Sequence, residues 1–169
     1  MPHTWTTTPR TLLAGLVLLL LLLTQAAVAQ ELHGRVVGIS DGDTLTLLTE
    51  RREEVRIRLS EIDTPERGQP YGTRSRQALS DLAFGKAVRI VVRDTDRYGR
   101  TVGRVHAGAQ DVNAEMVRRG AAWVYRRYSD DPVLLRLEQA ARAERLGLWA
   151  LPEAERVSPW EWRAAGRQR

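Results

Sequence analysis

Five short segments between residues 32 and 106 alternate apolar with polar side chains, and turn-forming residues separate them. In the clearest segment, Val55, Ile57 and Leu59 alternate with arginines, which is the pattern of a β-strand with one buried face. The predicted strands are residues 32–40, 44–49, 54–59, 87–92 and 100–106. Short strands separated by turns in this way predict a small barrel or a sandwich.

Three further segments carry apolar residues at helical spacing. Two of them are residues 73–83 and 112–119. The third has the clearest ends, since Asp131 suits the N-cap, Pro132 the first helical position and Gly147 the C′ position just beyond the last turn. The chain is therefore predicted to be α+β and mainly β.

The first 29 residues differ from the rest of the chain. Arg10 is the only charged residue there, an apolar run follows at 12–23, and Ala27 and Ala29 form an Ala-x-Ala site. This pattern predicts a secretory signal peptide cleaved after Ala29 and an exported protein, periplasmic or secreted. An uncleaved N-terminal membrane anchor is the alternative, although the run is shorter than the roughly 20 residues that span a bilayer. After cleavage we expect no stable membrane insertion.

Composition restricts the chemistry. The chain has no cysteine, so disulfides and thiolate zinc sites are excluded, and its three histidines form no ligand pair with useful spacing. Any bound metal should be a hard cation held by carboxylates. The net charge of +5 mildly favours a polyanionic partner.

Three acid-bearing segments follow predicted strands, and each by itself is typical of a surface turn or a helix cap. They are Asp41-Gly42-Asp43-Thr44, Asp63-Thr64-Pro65-Glu66 and the segment from Asp94 to Arg100. Together they suggest a single site. Asp43 and Asp63 offer hard oxygen ligands, Glu66 could reach the same site through a water, and Arg58 and Arg100 offer guanidinium donors. A cation, an oriented water and cationic donors are the parts that phosphodiester hydrolysis requires.

In chain order the motifs are Asp41-Gly42-Asp43-Thr44, Arg58-Leu59, Ile62-Asp63-Thr64-Pro65-Glu66, Asp96-Arg97-Tyr98-Gly99-Arg100, Val112-Asn113 and Leu146-Gly147-Leu148-Trp149. This order resembles the staphylococcal nuclease, or thermonuclease-like, family over nearly all of residues 32–150. A tail with Pro159-Trp160-Glu161-Trp162-Arg163 is similar to that of many exported bacterial members.

The resemblance implies an OB-type five-stranded barrel with three α-helices. Together with the predicted signal peptide at 1–29, the chain then has a nuclease domain at 30–151 and a Trp-containing tail at 152–169. The resemblance implies an endonuclease that uses one Ca²⁺ ion to cleave DNA and RNA, leaving 3′-phosphate ends. We expect a preference for single-stranded or frayed substrate and, since nothing in the sequence suggests otherwise, a monomer.

The resemblance also implies roles for individual residues. Asp43, Asp63 and the carbonyl of Thr64 correspond to calcium ligands, with Asp41 in the outer shell. Glu66 corresponds to the general base, or alternatively to a group that orients the attacking water. Arg58 and Arg100 correspond to the arginines that clamp the scissile phosphate, Arg97 and Tyr98 to residues that hold a terminal phosphate, and Tyr128 to an aromatic that stacks on a base. Arg126, where the archetype has a second aromatic, and the short loop between Glu66 and Tyr71 depart from that pattern.

Two other functions compete with a nuclease. One is an OB-fold module that binds single-stranded nucleic acid or a protein without cutting. A degenerate domain of this kind loses its active-site carboxylates and arginines. This chain has all five of them, at Asp43, Arg58, Asp63, Glu66 and Arg100, which argues against the binding module. The other is a metal-dependent phosphatase of small esters, which the many arginines and the aromatic Tyr128 make less suitable than a polymer-cleaving enzyme.

Overall fold

The structure, a computed structural model, describes residue 1 and residues 30–166. The proposed signal peptide and the last three residues lie outside this part of the chain. Eight strands and four α-helices follow one another in the described residues. They are β1 (Glu31–Ile39), β2 (Thr44–Thr49), β3 (Glu54–Leu59), β4 (Ile62–Asp63), α1 (Gly72–Ala83), β5 (Ala87–Thr95), β6 (Thr101–Ala107), β7 (Gln110–Asp111), α2 (Val112–Arg118), β8 (Trp123–Val124), α3 (Pro132–Ala143) and α4 (Pro159–Gly166), with short 3₁₀ turns at Gly147–Ala150 and Glu153–Glu155.

Five strands close into a barrel. The sheet runs β3-β2-β1-β5-β6-β7, and β3 also pairs with β6 in parallel, which joins the two ends. The other neighbours pair antiparallel, and the register shifts in β1 between Val36 and Gly38 and in β5 between Val92 and Asp94. Such irregularities bend strands and help a small sheet to close. The mixed five-stranded barrel is OB-like and confirms the predicted α+β fold.

The barrel interior and the faces of the first three helices form one core. The alternation in β3 has the predicted sense, since Ile57 and Leu59 are fully buried while Arg56 is exposed. Asn113, buried at the start of α2, accepts a hydrogen bond from the backbone N–H of Val105 and donates to the carbonyl of Ser60. It therefore fixes α2 to two barrel strands, and a buried side chain with its polar atoms paired in this way helps to specify one packing.

The third predicted helix begins where the sequence indicated, because the Asp131 side chain accepts the Val133 N–H at 2.8 Å and Pro132 follows it. Its end differs from the prediction. The helix stops at Ala143, Arg145 adopts the left-handed conformation at φ 54°, and the Leu146 N–H donates to the Ala141 carbonyl. This is a Schellman closure with arginine at C′, so Gly147 is not the C′ residue.

A fourth helix, α4, lies in the Trp-containing tail, beyond the three helices that the sequence predicted. Its start carries a capping box, since the Ser158 hydroxyl donates to the Glu161 carboxylate at 2.6 Å and accepts the Glu161 N–H. Pro159 occupies the first helical position. The signal was therefore present in the sequence as Ser-Pro-Trp-Glu. Among residues 30–166, none of the helices has the length and apolarity needed to cross a membrane.

Candidate active site

The turn between β1 and β2 presents Asp41 and Asp43. Asp41 Oδ1 accepts the Asp43 N–H at 3.1 Å, which keeps the turn compact. Gly42 packs against the neighbouring chain so closely that a Cβ atom there would lie 2.8 Å from Thr64 Oγ1 and 2.7 Å from Ser75 Cβ. The glycine thus allows the first acidic turn to approach the second acidic segment.

The second acidic segment follows β3. Strand β4 pairs with β8, with Ile62 opposite Val124, and this holds Asp63 and Thr64 in buried positions. The Thr64 N–H donates to Asp43 Oδ2 at 3.3 Å. Asp43 and Thr64, which are 21 positions apart in the sequence, are therefore in direct contact.

Arg58 joins the two aspartates. Its Nη1 donates to Asp43 Oδ2 at 3.2 Å and its Nη2 to Asp63 Oδ1 at 2.9 Å. Nη1 also faces the carbonyls of Leu59 and Ile62 at 3.4 and 3.3 Å. A guanidinium carries five N–H donors, so Arg58 keeps donors that can still reach a phosphate.

A second guanidinium comes from the tail. Arg163 on α4 donates from Nη2 to Asp63 Oδ2 at 2.6 Å, and from Nη1 to Asp63 Oδ1 at 3.2 Å and to Glu66 Oε1 at 2.5 Å. Asp63 and Glu66 are thus bridged by one arginine. We call Asp41, Asp43, Arg58, Asp63, Glu66 and Arg163 the Arg58 cluster.

Arg100 borders the Arg58 cluster from the β5–β6 hairpin. Its Nε donates to Asp96 Oδ2 at 2.7 Å, and its Nη1 donates to Thr44 Oγ1 at 3.2 Å. Thr44 lies opposite Arg58 in the β2–β3 register, and its hydroxyl donates to Asp43 Oδ1. A continuous chain of hydrogen bonds therefore connects Arg100 with the aspartates.

The three predicted substrate-binding residues are on exposed loops. Arg97 Nη2 donates to the Tyr98 hydroxyl at 2.7 Å, and the Tyr98 ring lies 5.7 Å from the Arg100 guanidinium carbon, which places both residues beside the site. Tyr128 follows β8, where its ring meets Tyr125 edge-on at 4.9 Å. Tyr125 in turn stacks on Trp160 of α4, so Tyr128 is connected to the site through the tail.

Burial raises the pKa of two acidic groups of the Arg58 cluster, Asp41 and Asp63. Burial and the neighbouring Asp43 charge raise the pKa of Asp41 to about 6. Burial also raises the pKa of Asp63, even though Arg163 and Arg58 favour its ionised form. Burial alone would lower the pKa of Arg58, but the charges of Asp43 and Asp63 raise it. Keeping these buried carboxylates ionised therefore costs free energy, and a further positive charge nearby would lower that cost.

The donor set fits a hard divalent cation. The Arg58 cluster has four carboxylates and two guanidiniums, which leaves two negative charges when all are ionised. Asp63 accepts three hydrogen bonds, so about one of its four lone-pair positions remains for a cation. Across residues 30–166, no group of three His, Cys, Asp or Glu side chains is arranged to hold a metal, so a cation at Asp43 and Asp63 would need further ligands such as backbone carbonyls or waters.

Comparison with known proteins identifies the family. The family described as "Staphylococcal nuclease homologue" matches residues 56–151. The chain belongs to the staphylococcal nuclease family. Over 148 residues it is 43% identical to a protein named micrococcal nuclease from Shigella flexneri, with 81% of this chain and 83% of the relative covered. Over 147 residues it is 44% identical to an uncharacterized endonuclease of Escherichia coli O157:H7, with 86% and 94% covered. It is also 46% identical over 150 residues to protein ParB of Escherichia coli, with 82% and 83% covered.

In this member of the staphylococcal nuclease family, residues 56–151, which match the family, do not contain every residue of the Arg58 cluster. Asp41 and Asp43 precede residue 56, and Arg163 follows residue 151. Arg163 is also the residue that the sequence analysis did not assign to the site. Its position three residues after Trp160 was the available signal, because residues at i and i+3 share a helix face. A tryptophan that docks a helix therefore also directs the arginine of the next turn toward the protein.

Proposed function

We propose that this protein is an exported endonuclease that hydrolyses phosphodiester bonds of DNA and RNA, with Ca²⁺ as its cation and 3′-phosphate ends as its products. The observation that carries the proposal is the convergence of Asp43 and Asp63 on Arg58, with Glu66 joined to Asp63 by Arg163 and with Arg100 linked to the aspartates through Thr44. The names of the relatives support cleavage of nucleic acid. We further propose that the substrate is single-stranded or frayed and that the enzyme acts as a monomer.

The residues around Arg58 have separate proposed roles in this reaction. When bound, a divalent cation supplies charge neutralisation at the phosphate and lowers the pKa of water. In this proposal, Asp43, Asp63 and the Thr64 carbonyl would hold that cation. Glu66 accepts a hydrogen bond or the proton from the attacking water, and its side chain is exposed enough (37%) for water to reach it.

The arginines act on the charge that develops during the reaction. Arg58 and Arg100 donate N–H groups to the non-bridging oxygens of the phosphate, which gain charge as the water oxygen attacks phosphorus. The bond from phosphorus to the 5′-oxygen breaks, one water proton leaves through Glu66, and the 5′-oxygen takes a proton from solvent. The products are a 3′-phosphate and a 5′-hydroxyl.

Exposed aromatic and basic side chains beside the site support a polymeric substrate. Tyr98 and Tyr128 are 69% and 63% exposed, and arginines lie over both rings. Aromatic faces and guanidiniums of this kind bind unpaired bases and phosphates. They favour a strand over a small ester as the substrate.

The test is a cleavage assay on protein purified after expression of the full chain. Denatured DNA and RNA would be incubated with Ca²⁺ or with excess chelator, and the ends of the products would be identified. We expect cleavage of both polymers with Ca²⁺, none in chelator, and 3′-phosphate ends.

The matched controls are Glu66→Gln, which should lower the cleavage rate by about 100-fold or more but leave it measurable, and Glu53→Gln in the exposed β2–β3 turn, which should not change it. Cleavage that survives excess chelator would defeat the cation mechanism. Tight binding of a single strand without cleavage under all cations would favour the non-catalytic OB-fold module instead.

A further inference from the structure

The C-terminal helix α4 is bound firmly to the domain. Its Trp160 ring stacks on Tyr125 at 5.2 Å with an interplanar angle of 5°, and meets Trp123 edge-on at 5.8 Å. The capping box of Ser158 and Glu161 fixes the start of the helix. Aromatic packing together with a complete N-cap gives a short helix a defined position. Arg163, on the next turn, is therefore directed toward the site.

The loop that carries Glu66 is tied to the same tail. Gln69, which is buried, accepts the Glu66 N–H through its side-chain oxygen at 3.0 Å and donates from Nε2 to the Val157 carbonyl at 2.7 Å. The loop then returns so tightly that a Cβ atom on Gly72 would lie 2.1 Å from the Glu66 carbonyl oxygen. The backbone of Glu66 is thus held by Gln69, and its carboxylate by Arg163.

Arg163 engages the carboxylates in an asymmetric way. It donates to both oxygens of Asp63, whose side chain is 1% exposed, but to one oxygen of Glu66, Oε1. The second oxygen of Glu66 is left to meet a water. The guanidinium therefore fixes the distance and orientation between a proposed metal ligand and the proposed base without covering the reacting side of the base.

The ion pair between Arg163 and Glu66 is poorly placed to stabilise the fold. The two side chains are 33% and 37% exposed, and pairs with this much solvent contribute little to folding. The orientation of a catalytic carboxylate matters much more for rate, since a displacement of about 1 Å can cost about 100-fold. The contact is better suited to positioning than to stability.

We infer that Arg163 is a positioning residue for Glu66, and that α4 is consequently part of the active site. The inference rests on the proposed nuclease function, because it assigns Arg163 a role through the carboxylate that activates water. It follows that the tail completes the catalytic centre from a position more than 60 residues after Arg100 along the chain.

The test is a mutant cycle measured with a single-stranded DNA oligonucleotide in saturating Ca²⁺. Arg163→Gln, Arg163→Lys, Glu66→Gln and the double variant Arg163→Gln/Glu66→Gln would be compared with wild type. Arg156→Gln is the matched control, because Arg156 is an exposed arginine of the same tail. The urea midpoint of each variant in chelator reports folding without the cation.

We expect Arg163→Gln to lower kcat by about 10- to 100-fold and to change KM by less than about threefold. Arg163→Lys should recover part of the loss, and Arg156→Gln should match wild type. On the Glu66→Gln background, Arg163→Gln should add less than about twofold, because residues that act as a unit are not additive. The urea midpoint of Arg163→Gln in chelator measures the separate cost of leaving the buried Asp63 with Arg58 as its remaining guanidinium, so kcat is compared per folded molecule.

Three results would overturn the inference while leaving the nuclease function intact. One is an active wild type with an equally active Arg163→Gln. Another is a loss of rate that multiplies fully with the loss caused by Glu66→Gln, which would mean that Arg163 acts on the phosphate or on the fold instead. A large drop in the urea midpoint of both Arg163 variants, with their remaining folded fraction fully active, would likewise reject positioning. A wild type without nuclease activity would reject the proposed function itself.

Discussion

Two clusters of arginine and carboxylate groups lie side by side in this protein and differ in how deeply their acids are buried. In the Arg104 cluster, one guanidinium on β6 binds three acids, Glu61, Asp111 and Asp131, at 2.7 to 3.0 Å. In the Arg58 cluster, four carboxylates share two guanidiniums. Glu61 and Asp63, which belong to different clusters, are only two residues apart.

The acids of the Arg104 cluster each have a second structural partner. Asp111 caps α2 through the Ala114 N–H, Asp131 caps α3 through the Val133 N–H, and Glu61 accepts the Ser129 hydroxyl. Hydrogen bonds from Arg104 lower the pKa of Asp131, so its ionised form stabilises the native state. This cluster links β6 to the starts of two helices.

Asp43 and Asp63 in the Arg58 cluster are more deeply buried, since their side chains are 9% and 1% exposed against 20–26% for the acids of the Arg104 cluster. The pKa of Asp63 and that of Asp41 are raised, with burial as the main cause. The same two residue types therefore join secondary-structure elements in one cluster and keep carboxylates in a desolvated position in the other. Raised carboxylate pKa values are typical of functional sites, which supports the catalytic role proposed for the Arg58 cluster.

The largest expected difference between the clusters is in activity. Arg58→Ala and Arg100→Ala should each lower the rate by at least about 100-fold, as loss of a preorganised donor at a reacting phosphate commonly does. Arg104→Gln should change the rate per folded molecule by less than about threefold. Turnover on single-stranded DNA, measured well below each variant's unfolding midpoint, checks both. An Arg100→Ala enzyme with wild-type turnover would remove Arg100 from its role.

The free energy of unfolding should fall more for a variant of the Arg104 cluster than for a variant of the Arg58 cluster. Arg104→Gln should cost about 2–3 kcal/mol, because it leaves three partly buried acids without their shared cation. Glu66→Gln should cost less than about 1 kcal/mol, because its ion pair with Arg163 is exposed to solvent. Urea unfolding in chelator measures both values. Equal losses would show that the distinction between the clusters does not hold.

Calcium should stabilise through the Arg58 cluster alone. At ten times its dissociation constant, a ligand of the native state adds about 1.4 kcal/mol, which is several degrees in the thermal midpoint. We expect this rise for wild type and for Arg104→Gln, and none for Asp43→Asn/Asp63→Asn. Thermal melts with and without Ca²⁺ provide the measurement, and a rise that persists in the double variant would place the cation elsewhere.

The smallest effect should appear in the pH dependence of stability. A carboxylate whose pKa is lowered on folding adds stability above its unfolded pKa, and that stability is lost as pH falls through the folded pKa. The Asp131 contribution should therefore be complete above about pH 4 and disappear below it. The gap in thermal midpoint between wild type and Arg104→Gln should narrow from pH 5 to pH 2.5. A gap that stays constant would mean that charge pairing is not its cause.

Much of this molecule could be predicted from local sequence. Period-two alternation located the barrel strands, with β2 and β3 at their observed bounds, and Asp131-Pro132 located the start of α3. The resemblance also selected the residues that the fold brings together around Arg58. These features are readable because strand alternation and helix caps depend on residues within a few positions of one another.

Only the tertiary structure decided how these pieces meet. The end of α3 depended on a Schellman closure with Arg145 at C′, although Gly147 was the better local candidate. The contact of Arg163 with Asp63 and Glu66 joins residues 100 and 97 positions apart. Such contacts arise from the packing of Trp160 on Tyr125 and from barrel closure, and no local pattern encodes which distant carboxylate an arginine will reach. Thus local sequence determined the barrel strands, the starts of the first three helices and most of the proposed reactive groups, while the packing of the tail determined which arginine contacts Asp63 and Glu66.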